Sequence, residues 1–326
     1  MSILESKAVV ITGAGRGLGE AYALHAARAG ARVLVNDVDG ELAEAVAARI
    51  VGQGGRAVAS AQSVRDPDQA SGVIERCLAE FGRVDGLVNN AALYHRALPW
   101  EEDVHAAREL IEVNVLGVLY CGIAAARVMR RQRAGSIVNI SSGSAFGSRG
   151  AGTYSASKGA VSSLTYSWAV DLAEVGVRVN GVCPLAWTRM VERSSTAIQL
   201  AVTPQRTPDR VAPLITYLLS DRAEGITGQL VRFTGNRLQL VRRPGFKDPV
   251  LHRDSWATED VAAAFDGILE LEPFGFEKQT PPRLRVTPPA GALSAGSVAA
   301  AELLRELPAD PPSARLRPPA TPINGT

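Results

Sequence analysis

Apolar runs of strand length alternate with segments of helical period from Lys7 to about residue 236, and this alternation limits the chain to few architectures. Strand-like runs fall at 8–12, 32–36, 56–60, 86–89, 136–140, 177–183 and 229–234. Helical patterns lie between them at 17–29, 41–51, 67–80, 104–131, 153–174 and 208–220. Each parallel connection needs a crossover, so the pattern predicts a doubly wound parallel α/β sheet with helices on both faces. The ligand of such a sheet is expected at the carboxyl ends of its strands.

The alternation stops near 236, and the rest of the chain divides in two. Residues 237–272 hold a strand-like run at 238–241, a Pro244-Gly245 turn and a helix opening near Thr258, which is expected to cap it ahead of acidic Glu259 and Asp260. They read as a structured C-terminal appendix to a dinucleotide-binding catalytic domain at 1–236. Of 19 prolines, 11 lie in residues 273–326, with Pro-Pro pairs starting at 281, 288, 311 and 318. A largely irregular Pro-rich tail is expected there, with one helical island at 295–307.

Composition excludes several classes of function. With 46% hydrophobic and 21% charged residues the chain can bury a sizeable core, and a net charge of +2 gives no bulk case for nucleic acid or an anionic membrane. Cys77, Cys121 and Cys183 are odd in number and widely spaced, which argues for a reducing, cytoplasmic compartment and against a disulfide framework. No signal peptide is read ahead of the first strand, and the most apolar long segment, 113–126, is too short and polar to span a bilayer. No zinc spacing is present, so no metal is expected.

Three constellations carry chemistry. The first is Thr12-Gly13-Ala14-Gly15-Arg16-Gly17-Leu18-Gly19, placed directly after one strand and before a helix. Glycine lets backbone approach a pyrophosphate closely, and the helix N-terminus offers N–H groups and positive dipole to the anion. The second is Asp37, ending the second strand. A carboxylate there accepts from adenine-ribose hydroxyls and repels a 2′-phosphate, which favours NAD over NADP; the alternative is a turn-capping aspartate. Arg16 softens that preference without removing the repulsion. The third is Ser142 with Tyr154 and Lys158. Four residues apart, the phenol and ammonium share a helix face. Together with a positive nicotinamide ring, the ammonium is expected to draw the phenol pKa down from about 10 toward the working range of a general acid/base.

Residues 5–236 resemble the short-chain dehydrogenase/reductases through TGAGRGLG at 12–19, NNAA at 89–92, Asn114 in VNVLG, SS at 141–142, YSASK at 154–158 and Pro184 after the sixth strand. The resemblance implies a Rossmann-type fold and a nicotinamide cofactor. It gives Tyr154 proton exchange at the substrate oxygen, Ser142 a hydrogen bond to that oxygen, and Lys158 the nicotinamide ribose. Asn114 would support a water reaching Lys158. Gly13, Gly17 and Gly19 would line the pyrophosphate with Arg16 and Leu18 in the same turn. Asn90 and Ala91 would stand beside the cofactor, and Pro184 and Thr188 on its nicotinamide side. Departures from the family pattern are Ala92, Ser63, Leu185 and Thr234-Gly235-Asn236. A looser resemblance, through VLVND at 33–37, TRM at 188–190 and the appendix, is to the hydroxyacyl-CoA dehydrogenase portion of multifunctional enzymes and their bacterial relatives.

These features imply an NAD-dependent oxidoreductase interconverting a secondary alcohol and a ketone on a bulky substrate, with secondary-metabolite tailoring as one setting. Alternatives are an NAD-assisted epimerisation or dehydration, and a non-catalytic NAD-binding subunit. The family resemblance also implies a homotetramer or homodimer paired through 104–131 and 153–174. Met190, Val191, Ile198, Leu200 and Val202 suit either an apolar substrate lid or a packing helix. Tyr94 and His95 are candidate pocket residues. His25, His105 and His252 lack metal-ligand spacing. The cluster Arg127, Arg130, Arg131 and Arg133 reads as a solvated helix end, and Trp168 as a packing residue.

Overall fold

The computed structural model describes residues 2–192 and 204–271, with two further short strands at Leu284–Arg285 and Glu306–Leu307. Two compact units divide the chain, Met1–Arg253 and Asp254–Thr326.

In the first unit, β1 (Ala8–Thr12), β2 (Arg32–Asn36), β3 (Arg56–Ser60), β4 (Gly86–Asn89), β5 (Gly135–Ile140), β6 (Val177–Pro184) and β7 (Leu230–Phe233) are parallel. Their order across the sheet is β3-β2-β1-β4-β5-β6-β7, a doubly wound arrangement of the kind the alternation predicts. The strands run as near-continuous apolar stretches because both faces are covered. Along β1, Val9 and Ile11 join one core with Tyr22, Val46, Ile50, Ile215 and Leu218. Ala8 and Val10 join the other, with Val73, Ile74, Cys121, Met129 and Ala169.

Helices α1 (Gly17–Arg28), α2 (Gly40–Gly52), α3 (Pro67–Phe81), α4 (Val104–Ile111), α5 (Gly117–Gln132) and α6 (Gly152–Ala173) make the crossovers. Short polar side chains start several of them. Asp39 accepts from Leu42 N, Asp66 from Asp68 N and Gln69 N, and Asp103 from His105 N and Ala106 N. A single π turn, Glu112–Leu116, joins α4 to α5. Residues Val104–Gln132 thus form one rod, long and apolar enough by length and composition to cross a membrane. It is longer than the apolar run at 113–126. Its apolar character is accounted for by Leu110, Val118, Cys121, Ala125 and Met129, all buried in this unit.

Beyond β6 come α7 (Arg189–Glu192) and, after a short 3-10 turn, α8 (Ala212–Leu219). The strand read at 238–241 is observed as β8 (Leu238–Leu240), pairing antiparallel with β7 through Val231↔Leu240 and Phe233↔Leu238. The sheet therefore continues past 236, and the first compact unit runs to Arg253.

In the second unit, α9 (Thr258–Gly267) begins after Ala257 rather than after a Thr258 cap. Thr258 is its first helical residue, and Asp260 accepts from Ala257 N at 3.0 Å. Glu306 and Leu307, placed by sequence in a helical island, instead form β10 against β9 (Leu284–Arg285). The rest of that island and of the Pro-rich stretch lies outside the described residues.

Asp85, just before β4, ties two strands at their amino ends. Its buried carboxylate accepts from Ala8 N at 2.8 Å and takes a two-pronged pair from Arg83 at 2.6 and 2.7 Å. Asp85→Ala leaves a buried N–H unpaired, a loss of about 1–3 kcal/mol. A lower urea midpoint with an unchanged slope is the expected result.

Candidate active site

The site is assembled where β1 and β4 end side by side. Thr12, the last residue of β1, is buried, and its Oγ1 accepts from the backbone N–H of Asn90 and of Ala91, both at 3.1 Å. Asn90 returns two bonds from Nδ2, to Thr12 O and Gly13 O, each 2.9 Å. This clasp fixes the glycine turn against the end of β4.

Close approach then demands glycine at two positions. A Cβ on Gly13, whose φ is +61°, would lie 2.7 Å from Ala91 Cα, and one on Gly19 would lie 2.1 Å from Gly13 O. Gly17 opens α1, also with φ +61°. Leu18 packs against the core, while Arg16 is exposed at the N-cap and makes no side-chain cap bond. Backbone N–H groups of the first turn are thus left to an anion, in a cradle that a pyrophosphate suits.

Asp37 follows β2 beside this turn and is buried. Its Oδ2 accepts from Gly15 N at 2.9 Å and its Oδ1 from Asp39 N at 3.1 Å. The turn-capping interpretation is therefore correct as far as it goes. Each oxygen still has a lone pair for a ribose hydroxyl.

The Tyr154 phenol and the Lys158 ammonium rise from the first turns of α6, facing the end of β5. Both are buried, with Lys158 Nζ donating to Ile140 O at 2.8 Å and standing 5.8 Å from the Tyr154 ring centroid. Ser142, the N-cap of the 3-10 turn Gly143–Phe146, accepts from Ser144 N at 3.1 Å, and its side chain holds the Tyr154 phenol pKa down against burial. Ser141 is committed elsewhere, its hydroxyl bonded to Lys158 O and Ser162 Oγ. Geometry thus separates the paired serines and brings Ser142, Tyr154 and Lys158 together.

Asn114 sits fully buried in the π turn, where Gly117 N reaches Glu112 O five residues back. Its Oδ1 accepts from Leu93 N at 2.7 Å, and its Nδ2 donates to Leu93 O at 2.9 Å and Ser157 Oγ at 3.2 Å. Ser157 in turn donates to Tyr154 O at 2.7 Å. Asn114 therefore joins the loop after β4 to the tyrosine-bearing turn. One Oδ1 lone pair is left for a water. Neither the π turn nor the Ser157 link is legible in spacing alone.

Burial governs the ionisation of both groups. It pushes the Tyr154 phenol up to about 12, with the Ser142 hydrogen bond pulling the other way, and lowers the Lys158 ammonium to about 8. The protein alone does not produce the depression expected of Lys158 together with a nicotinamide ring: burial raises the phenol, and Ser142 is what pulls it down.

Around this core, Tyr94 sets its ring edge-on to Tyr154, centroids 4.8 Å apart. His95 pairs with Glu102, tying the loop after β4 to itself. Pro184 ends β6 and Thr188 precedes α7, both partly buried. The lid residues Ile198, Leu200 and Val202 lie outside the described residues. Trp168 packs against the second core and onto Gly122 of α5, and Arg127, Arg130, Arg131 and Arg133 are exposed. Cys77, Cys121 and Cys183 are buried free thiols, and no cluster of three metal-ligating side chains exists among the described residues.

A difference titration tests the direction of the tyrosine shift. Absorbance of tyrosinate in the protein without added cofactor, minus that of Tyr154→Phe, is expected to stay flat up to about pH 10, the ordinary tyrosine value. A step in the neutral range would show that the protein alone ionises the phenol.

Similarity to known proteins matches this geometry. The family model described as short chain dehydrogenase matches residues 7–198. A 3-oxoacyl-acyl-carrier-protein reductase of Synechocystis sp. is 35% identical over 247 residues, covering 74% of this chain and 100% of that protein. A cis-4-hydroxycyclohexanecarboxylate dehydrogenase of Sinomonas cyclohexanicum is 37% identical over 238 residues, covering 70% and 95%. The crystal structure of a short chain dehydrogenase from Mycobacterium avium superposes with a TM-score of 0.74 at 31% identity, covering 81% of this chain and 94% of that one. The chain belongs to the short-chain dehydrogenase/reductase family of nicotinamide-dependent oxidoreductases.

Proposed function

We propose that the protein is an NAD-dependent oxidoreductase interconverting a secondary alcohol and a ketone on a bulky substrate. The observation that carries this is the convergence of Ser142, Tyr154 and Lys158 at the carboxyl end of β5, beside the glycine turn. When bound, the nicotinamide dinucleotide supplies hydride acceptance or donation at its ring. Gly13, Gly17 and Gly19 with the α1 N-terminus would hold the pyrophosphate, with Arg16 and Leu18 in the same turn. Asp37 would take the adenine ribose, and Asn90, Ala91, Pro184 and Thr188 would border the nicotinamide half.

The chain's own residues handle the proton. In the oxidising direction Tyr154 acts as the phenolate, its Oη taking the substrate hydroxyl proton, and Ser142 Oγ orients the same oxygen. Lys158 Nζ, lowered to about 8, sits where a small change of surroundings moves its proton, and Asn114 offers the remaining acceptor for a water beside it. The neutral phenol favoured by burial suits proton donation to a ketone in the reducing direction.

Bulk in the substrate is supported by the relatives' names, a 3-oxoacyl reductase and a hydroxycyclohexanecarboxylate dehydrogenase, each joining the reacting centre to a larger body. Secondary-metabolite tailoring is one setting for such a step. Exposed Ile123 on α5 and Val170 on α6 support pairing of those helices in a homodimer or homotetramer.

A panel of secondary alcohols followed by NADH absorbance tests the reading. Tyr154→Phe is expected to lose about 10²–10⁴-fold in kcat on any alcohol that turns over. Full turnover in that variant would remove Tyr154 from the mechanism, and turnover without NADH formation would point to a non-redox rearrangement. For the cofactor, kcat/KM is expected to favour NAD over NADP, and Asp37→Asn to narrow that ratio by about tenfold, since the neutral amide no longer repels the 2′-phosphate. A preference for NADP in the unaltered protein would overturn the assignment of Asp37.

A further inference from the structure

We propose that Arg232 is an anion-recognition residue of this site, selecting substrates that carry a carboxylate a few bonds from the reacting carbon. The proposal rests on the oxidoreductase reading above and adds the substrate's charge to it.

Arg232 lies near the carboxyl end of β7, paired in register with Cys183 of β6, at the end of the sheet where ligands of such folds bind. Its guanidinium reaches toward the 3-10 turn after β5. A Cβ on Gly143 would stand 2.5 Å from Arg232 Nη1, so that position is open only because residue 143 is glycine. Gly143 directly follows Ser142, whose side chain lowers the Tyr154 phenol pKa. On its other side the guanidinium acts on Cys183, a thiol that also feels the Lys158 charge. Arg232 thus occupies the flank of the catalytic group, one residue away from Ser142.

Its polar capacity is unspent. Arg232 is half-buried, yet among the described residues its guanidinium has no hydrogen bond or ion pair. The contrast within the same chain is direct. Arg32, equally half-buried, donates to Phe81 O and Ser6 O, and Arg178 to Leu218 O and Ser220 O. A guanidinium is always charged and presents five donors in a planar fork, the complement of a carboxylate. Leaving it partly desolvated without a counter-charge is costly, and a bound carboxylate removes that cost.

Equilibrium binding to the NAD-loaded protein tests this without requiring turnover, using cyclohexanecarboxylate and its uncharged isostere cyclohexanecarboxamide. The unaltered protein is expected to bind the carboxylate about tenfold or more tighter than the amide, and Arg232→Gln to bring the two within about twofold, with Arg232→Lys between them. Equal binding of both probes, binding of neither, or a preference that survives in Arg232→Gln overturns the proposal. So does an equal loss for both probes in Arg232→Gln, which would mark a packing role. Weakening of the preference by inorganic phosphate would assign the site to any small anion and overturn carboxylate selection. Failure of the oxidoreductase reading is seen separately, as turnover of secondary alcohols without NADH formation.

Discussion

Lys158 carries an ammonium group into the protein interior, held by one hydrogen bond from Nζ to Ile140 O at 2.8 Å. Desolvation of a charge is expensive, and here it lowers the group to about 8. Much of the local structure fixes where that charge stands. The backbone carbonyl of Lys158 accepts from both Ser141 and Ser162, so α6 is bolted to the end of β5 at the residue that bears the charge. One turn earlier, Ser157 ties Tyr154 O to Asn114, and Asn114 ties the loop after β4. A shift of α6 along the sheet would break the Ser141–Lys158 O, Lys158 Nζ–Ile140 O and Asn114–Ser157 bonds at once. Helix α6 sets the spacing of phenol to ammonium, and these bonds set where the pair stands against the end of β5.

The same network explains what was legible in the sequence. Seven parallel strands could be read because strands covered on both faces are nearly unbroken apolar runs, and β1, with all five residues buried, is the clearest. Helix α6 could be placed by its YSASK motif, but its sheet-facing side is Ser157, Ser162 and Thr165, polar side chains that hydrophobic periodicity does not register. Those are the residues that dock it. The π turn at Asn114 was hidden for a related reason: it changes a backbone bond from four residues back to five without altering composition. β8 could be seen as a strand, yet not as a sheet member, because its partner β7 is chosen by the chain's return path and not by its own residues.

The tyrosine shows where chemistry read from spacing stops. Four residues between Tyr154 and Lys158 put the two on one face, and the structure keeps them together, with Nζ 5.8 Å from the ring. What the spacing does not report is the depth at which the pair lies. A cation near a phenol gives a net lowering of its pKa only where its effect exceeds the cost of lost water, and Tyr154 is 7% exposed with Tyr94 edge-on against it. In the protein alone the second effect prevails, so the phenol is a neutral hydrogen-bond donor until a further positive charge arrives.

Glycines mark the site more widely than the dinucleotide turn does. A glycine in sequence says that a Cβ is not tolerated, but not what stands in its place. At Gly13 and Gly19 the neighbour is backbone, Ala91 Cα and Gly13 O, so even alanine would force the turn apart. At Gly15 it is Leu42 Cβ at 2.7 Å and the Asp37 carboxylate at 2.9 Å, and at Gly143 it is the Arg232 guanidinium. The first pair clears a path for the main chain. The second pair leaves room for two opposite charges, one beside the glycine turn after β1 and one beside Ser142. The motif exposes the first charge because a glycine-rich turn is a known cradle. The second lies on a single glycine after a serine and an arginine some ninety residues later, which only the β6–β7 register brings together.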